Sequence, residues 1–304
     1  MPEGMMSTKA FDTRKKNSKL QNNMGTETKI QWADSTWSPW RGCTKVSPGC
    51  ANCYAETLAK RNPAVMGGWG KGAPRVMAKN WDEPMRWQKR TSMDMPRPRV
   101  FPSLCDWLDD EVPTEWLARF LQLIWDTPSI DWLLLTKRPE LWAKRMRDCI
   151  TPTVASRPAL DWLKGAPPPN VWFGVSAEDQ TRAEYRINAM ADIPAIVRWV
   201  SAEPLLGPID FTQWLTESRN QRLVEWIVVG GESGPNARPC HAHWIRTIVG
   251  KCREELVPVF VKQVGSRPTD YSFRTADWEA LKDPKGGDMN EWPAELRVRQ
   301  VPDR

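Results

Sequence analysis

Six short apolar runs punctuate the chain: 98–107 (PRVFPSLCDW), 130–139 (IDWLLLTKRP), 170–179 (NVWFGVSAED), 195–204 (AIVRWVSAEP), 225–233 (EWIVVGGES) and 257–265 (VPVFVKQVG). Each is of strand length, rich in Val, Ile, Trp or Phe and nearly continuous in apolar character. That is the pattern of strands buried on both faces of a parallel sheet, not of half-exposed strands that alternate. Between the runs, amphipathic and charge-rich stretches at 113–127, 139–150, 179–192 and 241–256 read as helices. With a first strand in 35–42 (STWSPWRG) and a helix from Cys53 to Arg61, strand and helix alternate six or seven times. That order predicts an α/β fold, a partial or near-complete (β/α) barrel, with a doubly wound open sheet as the alternative.

The two ends read differently. Residues 1–28 are polar, basic and without periodicity, so a disordered leader is expected there. Beyond about 265 the apolar density drops, and 266–304 reads as a C-terminal extension of loop with a short helix or two, leaving 29–265 for the barrel. No apolar run approaches the ~20 residues that span a bilayer, and the leader lacks the apolar core of a secretory signal. The expectation is a cytoplasmic protein with no membrane partner.

Composition narrows this only a little. A chain of 304 residues with 40% apolar and 26% charged positions has room for one large core. The net charge of +6 suits a phosphate-bearing or otherwise anionic partner, such as a nucleic acid or nucleotide, without naming it. Among nineteen tryptophans, Trp132, Trp172, Trp199 and Trp226 lie in strands and read as core. Trp32, Trp37, Trp40 and Trp69 flank a cysteine-rich loop and are candidates to shield a cofactor or stack on a base.

In a parallel barrel the chemistry gathers at the C-terminal ends of the strands. Those ends carry Ser103, Cys105 and Asp106; Thr136, Lys137 and Arg138; Ser176 and Glu178; Ser201 and Glu203; Glu232 and Ser233; Lys262 and Gln263. Ser176 with Asp179 also fits a helix capping box, which is a purely structural role. The charges are harder to dismiss, because a charge at the end of a buried run needs a partner or a ligand. Glu178, Glu203, Glu232, Lys137 and Lys262 are therefore candidates to bind a cofactor or substrate. Gly230 and Gly231 would let a ligand approach the backbone, or would simply make a tight turn. Cys240, His241 and His243 offer metal-ligating side chains at close spacing, but a helix start explains them better, since no second cluster completes a tetrahedral set.

The densest signal is GCTKVSPGCANCY, residues 42–54. It holds Cys43, Cys50 and Cys53, three of seven cysteines, on a turn-rich loop before a helix whose first-turn amides favour thiolates. Three ligands are one short of a structural zinc site, unless Cys105 or a histidine completes it from a distance. A thioredoxin-like C-x2-C pair would leave Cys43 unexplained. A [4Fe-4S] cluster on three cysteines keeps one iron open, which accounts for the missing ligand.

The segments TKIQWADSTWSPWRGCTKVSPGCANCYAE, LLLTKRP, GVSAED, SAEPLLGPI, VVGGESGPNARP and FVKQVG, in order from about 28 to 265, resemble a phage-associated family of three-cysteine-motif proteins that is radical SAM-like. The resemblance implies a barrel of radical SAM type with a [4Fe-4S] cluster on Cys43, Cys50 and Cys53. It further implies S-adenosylmethionine chelated to the open iron, and a reductant whose one electron cleaves it to a 5′-deoxyadenosyl radical. A dedicated partner protein encoded alongside is also implied. The chain departs from the common pattern in spacing, C-x6-C-x2-C for C-x3-C-x2-C, and in having Asn52 where an aromatic residue usually precedes the third cysteine. Its Gly-Gly-Glu also falls late in the chain. A non-enzymatic binding module, stabilised by zinc or a cluster and recognising nucleic acid or a protein partner, is the alternative function.

Overall fold

The structure, a computed structural model, describes residues 28–91, 96–216, 222–270 and 281–303. Apart from Thr28 the expected leader lies outside them.

Seven parallel strands form one sheet: β1 (Ser35–Thr36), β2 (Arg99–Phe101), β3 (Asp131–Thr136), β4 (Val171–Ser176), β5 (Val197–Ala202), β6 (Trp226–Gly230) and β7 (Val259–Gln263). Their order across the sheet is their order in the chain. A doubly wound sheet reverses direction at a switch point, and this one never does, so that alternative is excluded. Right-handed crossovers in one direction put every helix on one face and curl the sheet. The result is a half-barrel, open between β1 and β7.

The crossovers carry helices α1 (Tyr54–Arg61), α2 (Glu83–Arg90), α3 (Thr114–Trp125), α4 (Trp142–Asp148), α5 (Arg157–Leu163), α6 (Gln180–Ala191) and α7 (Ala242–Glu254). Helices α2 and α5, eight and seven residues long, fall outside the stretches that the apolar pattern marks as helical. Each has a proline in its first turn, Pro84 and Pro158, and that is the signal that could have found them.

Side-chain alternation divides the core in two. Trp132, Leu134, Phe173, Val175, Val200, Ile227 and Val261 pack outward under the helices. Leu133, Trp172, Val197, Trp199, Trp226, Val228 and Phe260 point inward. Trp199 lies over Gly174, where an added Cβ would stand 2.3 Å from the indole, so glycine is required on β4. Trp32, arriving just before β1, completes this inner floor against Phe101, Trp199 and Trp226.

The last residues cover the free edge of β7. The Val261 amide donates to Val298 and the Gln300 amide to Val259, while Trp226 Nε1 reaches the Gln300 carbonyl. Two single-turn 3-10 helices, Met289–Glu291 and Ala294–Leu296, precede this segment. Among the described residues no helix is long and apolar enough to cross a membrane.

Candidate functional site

With the floor of the half-barrel filled by indoles, the inward positions one layer higher form the walls of a mouth. Register sets that layer. Thr136 pairs with Val175 and Ser176 with Ser201, so Lys137, Ser176 and Ser201 stand level. Ala202 pairs with Val229, which brings Glu203 beside Gly230, and β7 brings Lys262 to the same height. Lys262 Nζ lies 2.9 Å from Glu203, and Ser201 Oγ donates to the same carboxylate. Lys137 Nζ donates to Ser176 Oγ at 3.0 Å. A Cβ on Gly230 would lie 2.8 Å from Glu203 Oε1, so this glycine lets Glu203 cross the strand end toward Lys262. Its neighbour Gly231 packs against the backbone of Val264.

The cysteine loop comes after β1 and rises beside this mouth. Cys43, Cys50 and Cys53 are unpaired and partly exposed. Cys50 ends a 3-10 turn (Pro48–Cys50), and Cys53 is the N-cap of α1, so the helix starts one residue later than the sequence suggests. Cys105 is the neighbour of this loop through the bridge of Gly42 to its backbone, whereas Cys149, Cys240 and Cys252 are buried core side chains.

Two of the strand-end glutamates are committed to holding this loop. Glu178 accepts from the Gly49 amide at 3.1 Å and from Arg186 at 2.7 Å. Glu232 accepts from Asn52 Nδ2 at 2.9 Å and from the backbone and guanidinium of Arg238, whose Nη1 continues to the Pro48 carbonyl. Asn52, directly before Cys53, is thus a strut to the Gly-Gly-Glu strand end. Asp179, not Ser176, caps α6, leaving the Ser176 hydroxyl to Lys137. Neither Arg186 nor Arg238 stands out in the sequence; they lie eight and six residues beyond the glutamates they bind, and Arg182 would serve equally well as a partner on the sequence alone.

Beneath Cys43 sits a buried pair. Arg138 Nη1 is 2.9 Å from Asp106, and both its terminal nitrogens lie 3.7–3.8 Å from Cys43 Sγ. Asp106 is also held by the Thr136 hydroxyl and the Lys137 and Leu108 amides. Burial, aided by Asp106 and opposed by Arg138, pushes the Cys43 thiol up to about 11. Burial alone would raise Glu178 and Glu232 as well. Arg186, Ser47 and Gly49 outweigh it at Glu178, and Arg238 and Asn52 at Glu232, so both carboxyls sit below their usual range.

These two depressed carboxyls set the sign of the pH effect. A depressed carboxyl contributes stability above its unfolded pKa of about 4.3, and that stability is lost as pH falls through the lower folded value. Acid unfolding of the wild type should therefore steepen below about pH 4. Glu232→Gln, which keeps the shape and loses the charge, should start less stable at neutral pH and show a shallower acid slope in Tm. Parallel slopes in the two proteins would remove Glu232 from the latch.

The other candidates resolve into structure. Trp32, Trp37 and Trp40 are buried in the core, which corrects the expectation that they stack on a base, although Trp32 belongs to the inner floor beneath the mouth; Trp69 alone of the four is partly exposed, bridged to Cys43. His241 caps α7 and meets Thr269 Oγ1 at 2.7 Å, while His243 is exposed.

Among the described residues no group of three or more His, Cys, Asp or Glu stands ready to grip one metal ion. A tetrahedral zinc site needs such a convergence. A [4Fe-4S] cluster takes one thiolate per iron, so its ligands need not meet at a point. Three unpaired thiols on one partly exposed loop, with a guanidinium against one of them, fit that donor chemistry.

Residues 27–293 match one family model, described as Protein of unknown function (DUF5131). Neither a curated relative nor a solved structure matches the chain.

Proposed function

Because the chain belongs to the DUF5131 family, whose description assigns no activity, its function has to be read from the site, and we propose a radical SAM-like iron–sulfur enzyme working in the mouth of the half-barrel. The observation that carries this reading is the latched cysteine loop. Three free thiols sit on a loop that Glu178 and Glu232 hold beside a strand-end mouth through Gly49 and Asn52.

Cys43, Cys50 and Cys53 would hold the [4Fe-4S] cluster, which, when bound and reduced by a one-electron donor, supplies the electron that cleaves S-adenosylmethionine. The chain's own residues do the rest. Arg138 lends positive charge to the Cys43 end of the loop and favours the thiolate form that iron requires. Lys262 and Glu203 offer opposite charges 2.9 Å apart on the wall, a match for the carboxylate and amino groups of an amino-acid moiety. Lys137, Ser176 and Ser201 are left to orient the substrate, and the indole floor keeps water away from below.

The test is anaerobic reconstitution with iron and sulfide, reduction with dithionite, and an EPR spectrum with and without S-adenosylmethionine. A reduced [4Fe-4S] signal that changes on addition supports the reading. No cluster, with zinc bound stoichiometrically instead, would transfer the protein to the class of non-enzymatic binding modules.

A further inference from the structure

The excess positive charge of the chain is not spread over its surface. The formal net charge is +6, and residues 40–79 alone hold seven Lys and Arg against a single acid, Glu56. This segment folds back on itself. Trp40–Arg41 pairs antiparallel with Val76–Met77, the Gly70 amide donates to Cys43, and Arg41 reaches the Val65 carbonyl. It is therefore one lobe, with the cysteine loop as its inner border. Arg75 is buried on Asp109, whereas Lys45, Lys60, Arg61, Lys71 and Lys79 are exposed, Lys45 and Lys60 sharing the one carboxylate of Glu56 at 2.7 and 3.2 Å.

At the border between lobe and mouth stands Tyr54, directly after Cys53. Its hydroxyl is tied to the Ser103 carbonyl at 2.5 Å while its side chain stays half exposed. A phenol anchored by its tip presents a fixed ring to solvent. Leu58, one turn along α1, and Val65 extend the exposed apolar surface.

Anchored aromatic surface on the same lobe as a set of exposed cations is the physical make-up of a single-strand platform, in which phosphates track the charges and bases stack on the ring. An acidic protein would also be drawn to the charge. Protein interfaces, however, are depleted in lysine, and four of the five exposed cations here are lysines. A duplex is disfavoured because its bases are already stacked and out of reach of a barrel mouth.

We propose that residues 40–79 form a binding face for single-stranded nucleic acid, with a base stacked on Tyr54 at the lip of the mouth and the phosphates led along Lys60, Arg61 and Lys71. This deepens the enzyme reading by supplying a substrate class; binding itself does not depend on that reading, and only the reaction of the bound strand does.

The experiment uses the full chain without S-adenosylmethionine or reductant and a short oligonucleotide carrying fluorescein and one 2-aminopurine. Anisotropy measured over a salt series gives affinity and its salt slope, and quenching of 2-aminopurine reports stacking. The wild type is expected to bind with quenching. Lys60→Glu, Arg61→Glu and Lys71→Glu together should make the log–log salt slope shallower by about 2, from ~0.7 per lost phosphate contact. Tyr54→Leu should abolish most of the quenching and weaken binding about tenfold. Wild-type affinity and salt slope retained in the triple variant would overturn the proposal, as would absence of binding at about 50 mM salt. Displacement of the oligonucleotide by poly-L-glutamate at equal charge, with Tyr54→Leu silent, would overturn it in favour of an acidic protein partner. Binding is read without the cluster, so its failure and failure of the EPR test are separate results.

Discussion

Cys50→Ala should strip the reconstituted protein of its cluster EPR signal and of all cleavage of S-adenosylmethionine, while leaving urea unfolding of the apoprotein within about 0.5 kcal/mol of wild type. The reason lies in how little Cys50 does for the fold. It closes a 3-10 turn, stays partly exposed, and its sulfur has only a weak 3.9 Å contact with Ser47 Oγ. The latch bonds on either side of it come from the Gly49 amide and the Asn52 side chain, and the substitution leaves both in place. Cys252→Ala is the matched control. That thiol is buried in the packing of α7, and burial holds it protonated, at about 12. It should cost stability and leave the iron content unchanged. If instead Cys50→Ala unfolds the protein and keeps its iron, the loop is a structural element and the enzyme reading falls.

This contrast shows what could be read from the residues alone. The half-barrel was legible because strands buried on both faces leave continuous apolar runs, and six of them survive as strands of one sheet with consecutive order. The strand-end charges were legible as a set, since each comes straight after a buried run. Their division of labour was not. Three strand ends read alike, small residue then glutamate, yet Glu178 and Glu232 hold the cysteine loop while Glu203 faces Lys262. That division depends on which loop passes over which strand end, a contact between residues about 130 to 180 positions apart. No local pattern encodes it. The tryptophans misled as stacking platforms for a related reason: proximity to the cysteines in sequence says nothing of the side of the sheet to which each indole turns, and Trp37 and Trp40 turn to the helix side while Trp32 joins the inner floor.

The buried pair beneath Cys43 gives the largest stability effect to be expected at the site. Asp106 and Arg138 are both almost wholly enclosed, with side chains 8% and 5% exposed. Asp106 is the hub: besides Arg138 it satisfies the Thr136 hydroxyl and the amides of Lys137 and Leu108. Asp106→Ala strands a buried guanidinium and leaves those donors without their acceptor, so a loss of about 3–5 kcal/mol is expected, visible as a large fall in the urea midpoint. Arg138→Met is the milder change for stability, since Asp106 retains three donors and the methionine fills much of the volume. It removes the only guanidinium that the described residues bring within hydrogen-bond reach of Cys43 Sγ. If Arg138 serves the cluster as well as the fold, iron retention after reconstitution should drop more in Arg138→Met than its modest loss of stability explains. Arg138→Lys, which restores the charge without the fork, should recover part of that iron. Iron content that simply tracks stability across all three variants would confine Arg138 to holding the loop. The electrostatic support of the thiolate would then have to come from elsewhere, and the first turn of α1, with Cys53 as its N-cap, and the cations Lys45 and Arg238 on the loop carbonyls are sources that the fold provides.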